Sequence, residues 1–164
     1  MGVDYAFPPA LAKALLAADL MLPEEGGVLL SIADRDKAEA VPIVRRLAQA
    51  GCRLFATEGT AAMIAALGIG VEMVAKRLEE GHPNVVDVIQ RGLADVVINT
   101  PEGGQPTALR DGYQIRRAAA ERRIPCFTSL DTARAAVDAL LRGEVTFAVQ
   151  PLREYLVGGQ GSGS

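Results

Sequence analysis

Tryptophan is absent from this chain, and only three Tyr and four Phe stand among its 164 residues. A core of Val, Ile, Leu and Ala is therefore expected, with no aromatic platform on which single-stranded nucleic acid could stack. Lysine is scarce as well: three residues, at 13, 37 and 76, against fourteen arginines. The net charge of −3 argues against a general nucleic-acid binder and leaves room for a local basic pocket. Cysteine is limited to Cys52 and Cys126. With no CxxC or Cys/His cluster, zinc and redox chemistry are not indicated, and both thiols are expected reduced and buried at strand starts. No apolar run reaches the length of a membrane span. The opening MGVDYAFPPALAK has neither the basic start nor the cleavable apolar core of a secretory signal. The expectation is a cytoplasmic chain with no membrane partner.

Several catalytic signatures are missing too. There is no GxxxxGK[ST], so no Walker-type ATP site. The GIG at 68–70 lacks a third glycine and precedes a strand, so it is not a dinucleotide fingerprint. No GxSxG, HExxH or metal-spaced cluster occurs.

The chain does carry a rhythm. Residues 10–20 suit an amphipathic helix, and Pro23 with Gly26-Gly27 separates it from the remainder of the chain. From Gly27, short apolar runs alternate with helical ones. GVLLSIA, CRLFA, GVEMVA, DVVIN and IPCFTS read as strands. DKAEAVPIVRRLAQAG, TAAMIAALG, NVVDVIQRG, LRDGYQIRRAAAERR and DTARAAVDALLRG read as helices, with KRLEEGHP and TPEGGQPTA as loops. Asp36 is a candidate N-cap, and Pro42 predicts a kink or a short first turn. EVTFAVQ at 144–150 is a candidate edge strand, and VGGQGSGS reads as a flexible tail or cloning scar. Apolar strands alternating with helices imply a three-layer α/β fold: a mainly parallel five-stranded sheet with helices on both faces.

Such sheets bind ligands beyond the carboxyl ends of their strands, near a topological switch point. The candidate residues there are Ser31 to Lys37, Ala56 to Thr60, Lys76, Asn99-Thr100 and Thr128-Ser129. Two of the three lysines fall in this set, and lysine is a compact point charge suited to a phosphate oxygen. Thr57 and Thr60 flank Gly59 at a strand-to-helix turn, where amides, helix dipole and hydroxyls favour an anion. The plainer alternative is that Thr57 is a helix cap and both lysines are surface residues. Glu58 opposes an anion unless it turns outward. His82 reads as a surface-loop histidine, since no titratable partner is evident beside it.

Taken together, LLSIADRDKAEAVPIVRRLAQAGCRLFATEGTAAMI, VAKRLEEGHPNVVDVI and VINT resemble one family. It is the allosteric, methylglyoxal-synthase-like domain at the carboxyl end of the carbamoyl phosphate synthetase large subunit. The resemblance implies a linker and helix over 1–25, the regulatory domain over 26–156 and a tail over 157–164. It also implies a domain excised from a longer protein. The family's phosphate site maps onto Lys37, Thr57, Gly59, Thr60 and Lys76, and its nucleoside segment onto Ser31, Asn99 and Thr100. Thr128 and Ser129 match a hydroxyl pair nearer the ornithine side.

The implied effectors are UMP as inhibitor, IMP as activator, and ornithine. The implied partners are the rest of the large subunit and its glutaminase small subunit, with homo-oligomerisation open. The implied domain carries no catalytic residue, metal or cofactor of its own; ATP and Mg or Mn belong to the parent ligase of pyrimidine and arginine biosynthesis. Pro101, the GGQP insertion and Asp111-Gly112 depart from the family and leave base preference open. Methylglyoxal synthase, a lyase on dihydroxyacetone phosphate, is the rival reading. The loop after VINT here has no histidine, and Gly81-His82-Pro83-Asn84 stands where the lyase carries glycines followed by aspartate. The purine-biosynthetic cyclohydrolase domain ranks third, because it lacks the leading linker.

Overall fold

The structure, a computed structural model, describes residues 4–5, 7–17, 25–76, 81–101 and 106–141. The chain divides into two compact units, one of residues 1–21 with 134–164 and one of residues 22–133. In the first unit, α1 (Phe7–Ala17) starts earlier than its periodicity predicts. Pro8 and Pro9 sit in its first turn, where a missing N–H costs nothing. Its Leu15 is buried, and Lys13 pairs with Asp4 at 2.8 Å. The predicted edge strand at 144–150 and the tail at 157–164 lie outside the described residues.

The second unit holds the sheet. In chain order its elements are β1 (Gly27–Ser31), a 3-10 turn (Asp34–Asp36), α2 (Lys37–Gln49), β2 (Arg53–Thr57) and α3 (Glu58–Ala66). Next come β3 (Glu72–Val74), α4 (Val85–Gln90), β4 (Val96–Asn99), α5 (Pro106–Glu121), β5 (Cys126–Phe127) and the start of α6 (Leu130–Leu141). The five strands lie in the order β3-β2-β1-β4-β5, and every pairing is parallel. β1 and β4 are buried along their whole length because helices cover both faces.

Strand pleating divides the core. Leu29 stands in register with Phe55 on one side and Val97 on the other. This row packs against Val85, Val88 and Ile89 of α4 and Ile115, Ala118 and Ala119 of α5. Successive residues point to opposite faces. Val28, Leu30, Leu54, Ala56, Val96 and Ile98 therefore form the other apolar face, and they too are buried. The buried stripes of α2 (Ala40, Ile43, Val44, Leu47) and α3 (Ala61, Ile64) belong to that layer.

Gly27 has a packing reason. A Cβ there would lie 1.7 Å from the Leu93 carbonyl oxygen, and Gly27 N donates to Asp95 Oδ2 at 2.8 Å. Only glycine lets β1 start this close to the turn before β4.

Details differ from expectation for physical reasons. The helix predicted from Leu109 begins at Pro106, a favoured first helical position. The fifth strand has only two residues, as suits a short sheet edge. α2 runs unbroken through Pro42, and the 3-10 turn ahead of it supplies the short first turn. Asp36 holds the N-cap position of α2 without a side-chain cap. Cys52 and Cys126 are free thiols, and only half-buried, because each lies at an exposed strand entry. Burial still pushes both thiols up from their ordinary value.

Candidate functional site

Three chain segments meet beyond the carboxyl ends of β1, β2 and β3. The first is Ile32 to Lys37, the second Thr57 to Thr60, and the third Met73 to Lys76 together with Gly81 to Pro83. They line an open cleft of about 690 Å³. Lys37, Thr57, Gly59, Thr60 and Lys76 all lie on its wall.

The turn from β2 into α3 forms the floor. Thr57 occupies the N-cap position in extended backbone, yet its side chain caps nothing. Its hydroxyl instead donates to Thr60 Oγ1 at 3.4 Å. Thr60 is almost fully buried and ties this turn to β1, accepting from Ile32 N at 3.0 Å. The hydroxyls thus shape the turn and leave the first amides of α3 without a side-chain acceptor. A helix start of this kind favours an anion, because its N–H groups and dipole both point outward.

Lys37 supplies the matching charge. A Cβ built on Gly59 would stand 2.9 Å from Lys37 Nζ, so the ammonium rests directly over the glycine. Asp34 holds it there at 2.7 Å, three residues back on the same turn. Hydrogen bonding to Lys37, with its charge and that of Lys76, keeps the Asp34 carboxyl below the ordinary range. Lys76 brings its charge from the β3 end. Glu58 is exposed and also borders the cleft.

The other predicted residues lie apart. Ser31, Asn99 and Thr100 are buried at 4%, 2% and 5% exposure, and do not line this cleft. Ser31 and Asn99 are register partners at the ends of β1 and β4, which is the topological switch point. Described groups bond one another across it. Thr100 N donates to Ser31 O at 3.0 Å, and Ala33 N to Thr100 Oγ1 at 2.8 Å. Arg35 reaches Pro101 O at 2.6 Å, and Asn99 Nδ2 reaches Gly112 O at 3.5 Å. The open cleft therefore sits on the β1-β2-β3 side of the switch point. Thr128 and Ser129 are exposed beyond β5, at the opposite sheet edge from β3. Ser129 Oγ accepts from Thr132 N at 3.4 Å.

Asp34 falls within the Ser31–Lys37 stretch singled out from the sequence, and its i,i+3 spacing to Lys37 signals their ion pair. The sequence reading missed the partner of a further wall residue. His82 does have a titratable partner: its Nδ1 lies 2.5 Å from Asp87 Oδ2. Asn84 and Asp87 form a capping box on α4, so N-x-x-D marked where that carboxylate would turn back. Among the described residues no group of His, Cys, Asp and Glu is arranged to hold a metal ion. No described helix is long and apolar enough to cross a membrane.

Comparison with known proteins adds four findings. A family model described as "MGS-like domain" matches residues 39–128. The carbamoyl phosphate synthase large chain of Thermomicrobium roseum is 51% identical over 155 residues, which is 94% of this chain and 14% of that protein. The carbamoyl phosphate synthase large chain, C-terminal section, of Methanopyrus kandleri is 49% identical over 140 residues, 85% of this chain and 26% of that one. The chain thus spans only 14% and 26% of these relatives. In structure it resembles methylglyoxal synthase from Elizabethkingia anophelis NUHP1, with a TM-score of 0.55 and 23% identity over 71% of this chain and 79% of that one. At that identity the likeness concerns the fold.

Proposed function

The chain belongs to the MGS-like domain family, and from that premise we propose that it is a non-catalytic effector-binding domain of a carbamoyl phosphate synthase large chain. Its ligand is a nucleoside monophosphate. The phosphate sits over Gly59, taking the α3 amides from below and the Lys37 and Lys76 ammoniums from the sides. The nucleoside extends toward the β1–β4 switch point, where Ser31, Asn99 and Thr100 are buried outside the cleft lining. One observation carries the reading: a lysine ammonium held directly over a glycine at a helix start whose N-cap side chain caps nothing. That arrangement sets amide donors beside a lysine charge, for which a phosphate competes with the Asp34 carboxylate.

UMP as inhibitor and IMP as activator are the proposed occupants, and ornithine is placed separately, toward Thr128 and Ser129. The rest of the large chain, with its glutaminase subunit, receives the signal. Regulation requires that the effector bind the active and inactive states with different affinity, and the coupling is reciprocal.

Calorimetric titration with UMP, IMP and ornithine tests the proposal. A nucleotide should bind, and Lys76→Ala should weaken it about tenfold or more, the scale of one lost charge-assisted hydrogen bond. Affinity unchanged in that variant refutes the seat. The lyase reading draws on the shared fold and on the His82–Asp87 pair beside the cleft. Asp34 is a poor base for it, being tied to Lys37 and held low. Incubation with dihydroxyacetone phosphate should release no methylglyoxal above background, and clear turnover would favour the lyase.

A further inference from the structure

We propose that His82 is a third, proton-dependent donor of the anion cleft, one that strengthens ligand binding only when its ring is protonated. This role rests on the anion-seat reading and adds a residue and a condition to it.

The geometry is specific. His82 borders the cleft from the loop ahead of α4, with its side chain 76% exposed. Its Nδ1 meets Asp87 Oδ2, which also accepts from Asn84 N at 2.9 Å as half of the α4 capping box. A carboxylate that accepts from both fixes the ring tautomer: Nδ1 carries the proton and donates. Asn84 Nδ2 stands 3.3 Å from the same nitrogen. It cannot donate there while Nδ1 is protonated, so the contact to Asp87 prevails as the shorter and charge-assisted one.

Nε2 is then the ring nitrogen left for a ligand. In the neutral ring it presents a lone pair, which repels an anion. In the imidazolium it presents an N–H, which binds one. Locking Nδ1 on Asp87 thus turns a weak pH effect into a change of sign at a single atom.

The charged surroundings are mixed. Asp87 lies on α4 and Arg91 at its C-cap, Lys76 comes from the β3 end, and Lys37, Asp34 and Glu58 lie along the cleft. A dianion in the cleft is attracted by an imidazolium and not by the neutral ring, so ligand and proton bind cooperatively.

Sulfate is the suitable probe, because it stays a dianion from about pH 5.5 to about 8.5, whereas a phosphate monoester titrates within that range. Affinity is measured at constant ionic strength across that span for the whole chain, for His82→Gln and for His82→Arg. His82 is the only histidine, so its ring signal in a proton NMR titration is assigned without ambiguity. Wild type should bind sulfate about threefold to tenfold more tightly at the acid end, the scale of one exposed charge-assisted contact. By linkage, saturating sulfate should move the ring's titration midpoint up by about half to one pH unit. His82→Gln should be flat at the weaker level and His82→Arg flat at the stronger.

A midpoint unmoved by sulfate that still binds overturns this inference and leaves the anion seat standing. Persistence of the pH dependence in His82→Gln does the same. No sulfate binding at any pH removes both. Lys76→Ala should weaken binding at every pH while keeping the slope, which separates the two roles.

Discussion

Gly59→Ala separates the seat from the fold more cleanly than removal of any lysine. The new methyl would stand 2.9 Å from Lys37 Nζ and 3.9 Å from its Cε. An ordinary carbon contact is about 3.5 Å or more, so the ammonium must retreat by roughly half an ångström. It can do so cheaply, because it is the far end of a flexible side chain that is 25% exposed. The methyl also roofs the α3 amides, where the anion is placed. Folding should not suffer. Gly59 is the second residue of α3, and alanine is the better helix former by up to about 1 kcal/mol, less in a first turn. An increment of about 0.5 kcal/mol would raise Tm by roughly 1–2 °C in a chain of this size. Ligand affinity should fall by about 1–2 kcal/mol, a fivefold to thirtyfold loss, since the amides are covered and the Lys37 contact is displaced. Thermal unfolding and calorimetric titration with UMP or sulfate read the two quantities separately. Affinity within twofold of wild type, in a variant with unimpaired Tm, would refute the placement of the anion over Gly59.

The remaining predictions concern the scaffold and its acid response. Gly27→Ala drives a Cβ to 1.7 Å from a backbone carbonyl that cannot yield alone, so urea unfolding should show a loss of about 3 kcal/mol or more. Thr60→Val keeps the shape of a 1%-exposed side chain but strands the Ile32 N–H it accepts from. The urea midpoint should drop by the equivalent of about 1–3 kcal/mol, and Thr60→Ser should recover most of it. Asp34 and Asp87 both have carboxyls held below the usual 3.8, by hydrogen bonds to Lys37 and His82 first of all. Their depressed folded values mean that the stability they add is complete above the unfolded carboxylate range and is lost as pH falls through the folded values. Tm should therefore decline on acidification below about pH 4, less steeply in Asp34→Asn and in high salt, since Asp34 is exposed and Asp87 partly so.

The architecture was legible because it is written locally. Each central strand is an apolar run bounded by turn residues, and Val41, Val44, Leu47 and Ala48 repeat at the helical period. The turn proposed to hold the anion was legible for the same reason: Thr57, Gly59 and Thr60 belong to one strand-to-helix turn whose polarity follows from local geometry. The parts that escaped depend on contacts distant in sequence, or on a carboxylate turning back on its own helix. No periodicity records that Thr100 Oγ1 and Arg35 cross the β1–β4 switch point, 67 and 66 residues from their partners, and shift the open cleft toward β3. Nor does composition show that Asp87 reaches His82. That pairing follows only once Asn84 is recognised as the cap that fixes the start of α4. The same capping box that ends a loop economically also orients the one histidine beside the cleft. A structural device and a binding device thus share a single carboxylate oxygen, so replacing Asp87 would disturb both, whereas His82→Gln touches the second alone.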